Sequence, residues 1–417
     1  MAERSEGYLP SGSVFRDHDR AQYAYLRASD AEFARRWAAM RGFMDNQGLD
    51  VLLIAGGTGT WDRNWTNTRW AVNHIGCQLT NATYVVFPRE AEPTVLDFPL
   101  VAWLPARRAR EIVEDVRATP EPHVGAIQRI NELGLSQPRI GIVETDLNTS
   151  IPSKHMDAFR AEWPSAQFCS VTREWWRKLR TLRSAEEIAN MERAAMIGDA
   201  MSEAVEDEIR PGMPEQAIFG ALYAAMAREG GETPTMVLVA SGSTLVACDT
   251  FQRERHMQRV LTRGDAIITE LSPRYPDGSE IQTGRAYILG GTTPAYEKIA
   301  ELMLELYARV VEQLRPGKTD VDVLAAAQFV KDAGYTWLSP LVHGPEGGGT
   351  GALPIIASSV RQAEAEPFVF KPNMAMVVQA HVGLHDNSAG LFMADTWVTT
   401  DGDPRPLNRY RRELIRM

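Results

Sequence analysis

The 417-residue chain has few cysteines, no long apolar segment and no excess of positive charge. Its three cysteines are odd in number, lie far apart and form no CxxC pair, which suits a reducing compartment better than a disulfide framework. The first residues, MAERSEGYLP, lack the apolar region of a signal peptide, and no apolar run is long enough to span a bilayer. We therefore expect a cytoplasmic protein that does not act in a membrane.

Acidic residues outnumber basic ones. The 54 Asp and Glu residues exceed the 44 Lys and Arg residues, the formal charge is −10, and no local basic block compensates for it. Because binding to nucleic acid depends largely on attraction to phosphates, we do not expect nucleic acid as a partner. The length and the 44% of hydrophobic residues indicate a globular protein with two or three domains.

Helix and strand patterns alternate in the first part of the chain. Phe33, Trp37, Met40 and Phe43 recur at helical spacing, and Gly48 ends this helix before an apolar strand. Such alternation is typical of a layered α/β domain, which we assign to residues 1–180. The predicted helices are 31–49, 106–116 and 124–133, and the predicted strands are 51–55, 83–87 and 140–143.

The second part of the chain, residues 181–417, opens with a helix-starting signal and contains an internal repeat. Ser184 followed by Glu187 is a capping-box pattern. The sequence RPG occurs at Arg210 and again at Arg315, each time between the end of one helix pattern and the start of another. Because strand patterns follow both copies, we predict a domain built from two related halves.

Several segments of this second part follow one another in a recognisable order. They are LRSAEEIANMERAA, the two RPG helix pairs, VASGSTLVACD, the strand pair around Glu270 and Gly278, and PNMAMVVQ with ADTWVTTDG. In order and spacing they resemble the creatinase, prolidase and methionine aminopeptidase family (peptidase M24). The resemblance covers about Leu182 to Leu407 and is looser before that. It implies an α/β N-terminal domain followed by an α+β pita-bread catalytic domain with a pseudo-twofold internal repeat.

The metal positions of that family are largely replaced in this chain. Its metal-dependent members hold two divalent ions with Asp, Asp, His, Glu and Glu, which are the oxygen and imidazole ligands that such ions prefer. By resemblance, these five positions correspond to Glu270, Gln282, His343, Gln379 and Ala394. Amide and methyl groups cannot replace carboxylates in neutralising two ions, so we expect neither a metal nor another cofactor.

Replacement ligands are the alternative to a lost metal site. Glu280, His381, His385 and Asp386 could supply them, and His381 lies two residues from Gln379 on what should be one strand face. Without a metal, we expect His381 to bind the substrate.

The same family has a metal-free branch, creatinase, in which a histidine acts as acid and base and carboxylates orient a guanidino substrate. This chain resembles that branch because His343 is kept while the metal ligands differ. Asp249 stands where a histidine follows ASG in the aminopeptidases. Asp249, Glu270 and His343 could therefore supply an acid, a base and an orienting carboxylate in one cleft. Gln282 and Gln379 could hydrogen-bond a neutral or zwitterionic substrate.

The N-terminal domain contains a dense aromatic and basic segment, WDRNWTNTRWAVNHIG. Arg63 and Arg69 could hold a substrate carboxylate, and Trp61 and Trp65 could surround a cationic group. Packing of the tryptophans in a core or a dimer interface is the open alternative. In the family, the N-terminal domain of one subunit often overhangs the site of its partner, so we expect a homodimer. Which subunit supplies the arginines stays open.

We predict a metal-independent hydrolase that cleaves a C–N bond in a small zwitterionic guanidino, amidine or amide compound. His343 would take a proton from water and return it to the leaving nitrogen, while Glu270 and Asp249 hold the cationic part. Three alternatives stay open: a β-elimination lyase acting on a betaine-like carboxylate, a metal-dependent aminopeptidase or prolidase-like enzyme, and a non-catalytic binding protein. The acidic charge and the lack of tails argue against the last of these.

Overall fold

The structure is a computed structural model that describes residues 26–56, 66–75, 83–97, 112–144, 151–243, 258–337, 340–346, 356, 367–386 and 388–417. These residues form two layered units, one built on a six-stranded sheet and the other on a nine-stranded sheet. Among them, no helix combines the length and the apolar character needed to cross a membrane.

The first unit is built on a mixed sheet. Its described strands are β1 (Val51–Gly56), β2 (Thr83–Pro88), β3 (Thr94–Asp97), β4 (Asp115–Ala118), β5 (Arg139–Val143) and β6 (Gln167–Ser170). They are ordered β4-β3-β2-β1-β5-β6, with β1 antiparallel to β2 and parallel to β5. Every residue of β1 is buried, as expected for a central strand that is covered on both faces.

Helices pack around this sheet. Those described are α1 (Asp30–Gln47), α2 (Thr66–Val72), α3 (Pro122–Glu132), α4 (Ser153–Glu162) and α5 (Thr172–Trp175). The side chain of Ser29 accepts a hydrogen bond from the backbone of Glu32 at the start of α1, and the helix ends at Gly48, where φ is 63°. The predicted helix and its stop are therefore confirmed. The predicted helix 124–133 and the predicted strands 51–55, 83–87 and 140–143 are confirmed as well.

The helix predicted at 106–116 is wrong at its C-terminal end. Asp115 and Val116 belong to β4, where they pair in parallel with Thr94 and Val95 of β3. Pairing with the neighbouring strand therefore outweighs the helical spacing of this segment. Residues 106–111 of the same prediction lie outside the described residues.

A five-residue π-helix, Trp176–Arg180, connects the two units. Helix α6 (Ala185–Glu208) then begins at the predicted capping box, in which Ser184 and Glu187 each accept a hydrogen bond from the other's backbone N–H. The Glu187 carboxylate also accepts a hydrogen bond of 2.8 Å from the indole nitrogen of Trp70 on α2. One side chain thus both starts α6 and holds it against the first unit. The predicted boundary after residue 180 falls at this connection.

The second unit is built on a mainly antiparallel sheet. Its described strands are β7 (Val237–Gly242), β8 (Ala266–Leu271), β9 (Thr283–Ile288), β10 (Thr336–Trp337), β11 (Val342–His343), β12 (Ala375–Gly383), β13 (Gly390–Val398), β14 (Arg405–Pro406) and β15 (Ile415–Arg416). The main order is β10-β12-β13-β9-β8-β7, while β11 pairs with β12, β14 with β13 and β15 with β9. After α6, the described helices are α7 (Gln216–Arg228), α8 (Pro294–Val311), α9 (Asp320–Ala326) and α10 (Gln328–Asp332).

The two RPG segments stop helical segments, as predicted. Gly212 and Gly317 have φ values of 93° and 85°, in the left-handed region that glycine enters without a steric cost. A further helix follows each of them, α7 in the first copy and α9 in the second.

A buried carboxylate fastens the centre of the second sheet to α8. Asp395 on β13 accepts hydrogen bonds from Arg285 Nη2 at 2.8 Å and from Tyr307 OH at 3.0 Å. Arg412 Nε donates to it as well, at 2.7 Å. Successive residues of a strand point to opposite faces, so the side chain of Ala394 points away from Tyr307 and its helix.

Candidate active site

Four residues lie side by side across β8, β9, β13 and β12. Backbone pairing places Glu270 opposite Gly284, Gly284 opposite Ala394, and Ala394 opposite Gln379. Because directly paired residues point to the same side of a sheet, all four share one face. The two middle residues are small, so the outer two carry the functional groups of this row.

Two glutamine amides donate to the carboxyl group of Glu270. Gln379 Nε2 lies 3.3 Å from Glu270 Oε1, and Gln282 Nε2 forms a shorter hydrogen bond to the same oxygen. Thr396 holds Gln282 in turn, because its Oγ1 accepts from the Gln282 N–H at 2.9 Å and donates to the Gln282 carbonyl at 3.0 Å. Glu270 Oε2 has no hydrogen-bond partner within the described part of the chain. The carboxyl group therefore has one oxygen fixed and one oxygen left for a substrate.

Burial changes the ionisation of Glu270. The residue is 1% exposed. Its removal from water raises its pKa to about 8, although the hydrogen bonds from Gln282 and Gln379 act in the opposite direction. At neutral pH the carboxyl group is thus largely protonated and can donate a proton. To hold a cation as a carboxylate, the role expected from the sequence, it must first lose that proton.

His343 approaches the same face from β11. It pairs with Val377 of β12, two residues before Gln379, so His343 and Gln379 are diagonal neighbours on the sheet. His343 Nδ1 lies 2.7 Å from the backbone oxygen of Gly344 and is the donor, since that oxygen can only accept. Burial lowers the pKa of His343 to about 4. The ring is therefore neutral at pH 7, with the lone pair on Nε2, which is the form of a general base.

His381 lies on this face too, two residues beyond Gln379. It is 1% exposed, and neither ring nitrogen has a hydrogen-bond partner in the segments that the structure describes. Its ring meets that of Phe392 edge to face, with centroids 5.1 Å apart. Burial lowers the pKa of His381 to about 3, so this ring is neutral as well. A substrate-binding role for His381 agrees with this position and stays a prediction.

The donor set does not fit the pair of divalent ions that the family resemblance implies. Gln282 and Gln379 direct amide N–H groups at Glu270, and Ala394 offers only a methyl group. Divalent ions of this kind require oxygen, nitrogen or sulfur lone pairs in those directions. Over the described ranges, no group of three or more His, Cys, Asp or Glu side chains is arranged to hold a metal ion.

The replacement ligands suggested by the sequence do not converge. Glu280 is engaged with Arg274, whose Nη1 lies 3.4 Å from its carboxylate. His385 and Asp386 are exposed on the turn between β12 and β13. Of the four candidates, only His381 lies on the face that carries Glu270.

The N-terminal candidates divide into two groups. Arg69 is described, and its Nη1 and Nη2 lie 2.6 Å and 2.8 Å from the two carboxylate oxygens of Glu232 in the same chain. Both terminal nitrogens therefore belong to a bidentate ion pair. Trp61, Arg63 and Trp65 lie outside the described residues, as does Asp249 of the second part of the chain, and their roles stay predictions.

Sequence reasoning missed Thr396 and Phe392, which flank Ala394 on the same strand face. Thr396 positions Gln282, as described above. The ring of Phe392 occupies the space above Gly284, where an added Cβ atom would overlap it. Both residues could have been found by alternation, because positions two residues either side of Ala394 must share its face.

A family model matches this chain over the second unit, and curated relatives match between about half and three quarters of it. The family model described as metallopeptidase family M24 matches residues 189–401. The chain is 25% identical to Xaa-Pro dipeptidase of Pyrococcus furiosus over 242 residues, which are 57% of this chain and 66% of that enzyme. It is 22% identical to creatinase of a Bacillus species over 308 residues, which are 71% of this chain and 70% of that enzyme.

Solved structures match both units together. Dipeptidase PepE of Mycobacterium ulcerans superposes with a TM-score of 0.74 at 21% identity, covering 94% of this chain and 99% of the other. The prolidase of Pyrococcus horikoshii gives a TM-score of 0.73 at 20% identity, covering 91% and 100%. At such identities the likeness shows the fold alone. It confirms the predicted α/β domain followed by an α+β pita-bread domain.

Proposed function

Because the chain belongs to metallopeptidase family M24, we propose that it is a hydrolase that cleaves a C–N bond of a small polar compound without a pair of metal ions. One observation supports the metal-free part of this proposal: two amides donate to Glu270 where divalent ions would need carboxylate ligands. The site is then a hydrogen-bonded acid, Glu270, beside a neutral imidazole, His343.

His343 is the base of the proposed reaction. Its Nδ1–H is held by the carbonyl of Gly344, which leaves the Nε2 lone pair to take a proton from the attacking water. The fixed hydrogen bond also stabilises the imidazolium that forms when Nε2 accepts this proton.

Glu270 is the acid of the proposed reaction. Its raised pKa keeps a proton on the carboxyl group at neutral pH, and the group gives this proton to the leaving nitrogen as the C–N bond breaks. Water supplies the hydroxyl group that becomes bonded to carbon. Transfer of a proton from the imidazolium back to the carboxylate then restores both groups for the next turnover.

The uncharged character of the site favours a neutral or zwitterionic substrate. Glu270 and His343 are both neutral at pH 7, and Gln282 and Gln379 add hydrogen-bonding capacity without charge. A guanidino acid, a cyclic amidine or an amide meets this requirement. We propose such a compound as the substrate class, with Arg63 and Asp249 as further binding residues.

A dipeptidase is the second candidate. The specific observation in its favour is that the chain shares 25% identity with an Xaa-Pro dipeptidase and 22% with creatinase. Dipeptidase activity of this kind needs metal ions, and their ligands would have to include residues outside the described ranges.

The test combines metal analysis with a product assay. Protein purified without chelator should contain less than about half a transition-metal ion per chain, because carboxylates are missing from the ligand set. Guanidino acids, cyclic amidines and Xaa-Pro dipeptides should then be offered in H₂¹⁸O, with and without added Mn²⁺. Incorporation of ¹⁸O into the product without added metal is the expected result. Two tightly bound ions per chain, or activity only on dipeptides with Mn²⁺, would support the dipeptidase instead. A product with a new C=C bond and no ¹⁸O would identify a lyase.

A further inference from the structure

A pocket lined by five arginines lies between the two units. Arg36 and Arg69 come from α1 and α2, Arg180 and Arg183 from the connecting segment, and Arg274 from the turn after β8. Each of them is 6% exposed or less. The acidic residues of the same lining are fewer: Glu187, Asp277 and Glu346.

Four of these arginines keep an unused donor. The Nε atoms of Arg69, Arg180, Arg183 and Arg274 are buried and have no hydrogen-bond partner among the described residues. Buried N–H groups almost always have an acceptor, and a charged one is especially costly to leave without. Four such groups around one pocket therefore indicate an acceptor that the described side chains do not provide.

Two arginines share one carboxylate on one wall of the pocket. Arg180 and Arg183 share the single carboxylate of Glu346, with Arg183 Nη1 at 3.1 Å from the oxygen that Arg180 also contacts. Burial lowers the pKa of Arg180 to about 10 in spite of this shared partner. Arg69 pairs with Glu232 and Arg274 with Glu280. Arg36 pairs with Glu32 and Glu187, which also pair with Arg35.

We propose that this pocket binds one compact oxyanion, with formate, acetate or bicarbonate as the chemical type. An oxyanion offers several acceptor lone pairs and one negative charge, which match the free Nε–H groups and the two arginines that share Glu346. The cavity of about 30 Å³ exceeds the ~10–15 Å³ that one water needs. It is too small for a peptide or a nucleotide. None of Glu270, Gln282, Gln379 or His343 lines it, so the inference does not depend on the proposed reaction.

Anion-specific stabilisation tests the pocket directly. The full chain should be unfolded thermally in formate, acetate, bicarbonate and sulfate, each compared with chloride at equal ionic strength. A ligand that binds only the folded protein raises Tm with its concentration. We expect a saturable rise of a few degrees with the compact oxyanions, and one binding site per chain by calorimetry. No difference from chloride would mean that water alone satisfies the four N–H groups, and would overturn the proposal.

Arg183→Lys provides the matched variant. Lysine keeps a positive charge beside Glu346 but removes the Nε–H that the anion would use, so the affinity for formate should fall about 10-fold or more. Arg35→Lys is the control, because Arg35 contacts Glu32 and Glu187 in the same network without lining the pocket. Equal affinity in Arg183→Lys and the wild type would contradict the assignment. If Arg183→Lys does not fold, the titration of the wild type with oxyanions still tests whether the pocket binds one.

Discussion

The carboxyl group of Glu270 is buried with a proton that most glutamates have lost at neutral pH. Its folded-state pKa of about 8 lies above the ordinary value of 4.5. At this side chain the folded protein therefore binds more protons than the unfolded chain between these pH values, so the contribution of Glu270 to stability falls as pH rises through this window.

Glu270→Gln should remove this dependence on pH. Relative to Glu270→Gln, we expect the free energy of unfolding of the wild type to fall by up to about 1.4 kcal/mol per pH unit between about pH 4.5 and about pH 8, because the buried histidines contribute to both proteins alike. The glutamine keeps an oxygen that accepts from Gln282 and Gln379, so the variant should fold and should lack this one contribution to the pH profile. Urea unfolding at pH 5 and pH 8.5 measures the difference. Glu301→Gln on the surface of α8 is the control, and a slope unchanged in Glu270→Gln would contradict the assignment.

The activity should depend on both His343 and Glu270. The neutral imidazole predicts loss of turnover as pH falls through about 4, and the protonated carboxyl group predicts loss as pH rises through about 8. His343→Ala should lower kcat by about 10²-fold or more with little effect on folding, since general acid–base catalysis contributes about 10² to 10⁴. Steady-state kinetics on the true substrate, recorded as a function of pH, measures the loss of turnover on both the acidic and the basic side. Near-normal turnover of His343→Ala would remove this mechanism.

At the scale of single elements, β9 depends on a glycine at the centre of the site. A Cβ atom at Gly284 would overlap the ring of Phe392 and lie 2.8 Å from the backbone oxygen of Thr269. The strand has no room for it.

Gly284→Ala should therefore destabilise the protein by about 1–3 kcal/mol, the usual cost of overpacking, and should displace Phe392 from the site. A second change, Phe392→Leu, should recover part of this loss if the ring is the obstacle. Chemical denaturation measures both effects. Gly220→Ala on α7 is the control, because nothing lies within 4 Å of its added Cβ and alanine favours a helix. Equal effects of the two alanine substitutions would contradict the steric argument.

The elements that the sequence predicts correctly are those fixed by local signals. The cap at Ser184 and the stop at Gly48 depend on residues within one helical turn, and both are confirmed. The helix predicted at 106–116 failed where Asp115 and Val116 pair with β3, a partner about twenty residues away in sequence. Local spacing does not carry information about such a partner.

The candidate site was predictable only through family resemblance. Gln379 donates a hydrogen bond to Glu270, although the two residues are 109 positions apart in the sequence. Neither helical nor strand periodicity predicts a contact between residues so far apart. The direction of each pKa shift depends on burial, which the sequence does not display. The arginine pocket was not predicted either, because its arginines come from four separate parts of the chain.

For the whole molecule, we propose a homodimer in which the N-terminal unit of one subunit completes the site of the other. Two inactive variants should then complement each other when mixed. Random exchange of Arg63→Ala and His343→Ala subunits gives heterodimers with one intact site each, so activity should return to about a quarter of the wild-type level. His343→Ala mixed with Gln379→Ala should stay inactive, because both changes affect the same half of the site. Light scattering that shows a monomer, or no complementation in the first mixture, would contradict the proposal.

Glu187 has a consequence for how the two units open. Its carboxylate closes the first turn of α6 and accepts the indole N–H of Trp70 on α2. Fraying of that turn must then release α2 at the same time, so backbone amides of both segments should exchange with deuterium with one common opening free energy. Trp70→Phe removes the shared hydrogen bond and should separate the two exchange rates, as followed by mass spectrometry. If the rates already differ in the wild type, the contact is not cooperative. If the rates coincide, the connection between the units is a latch that opens in one step, rather than a hinge.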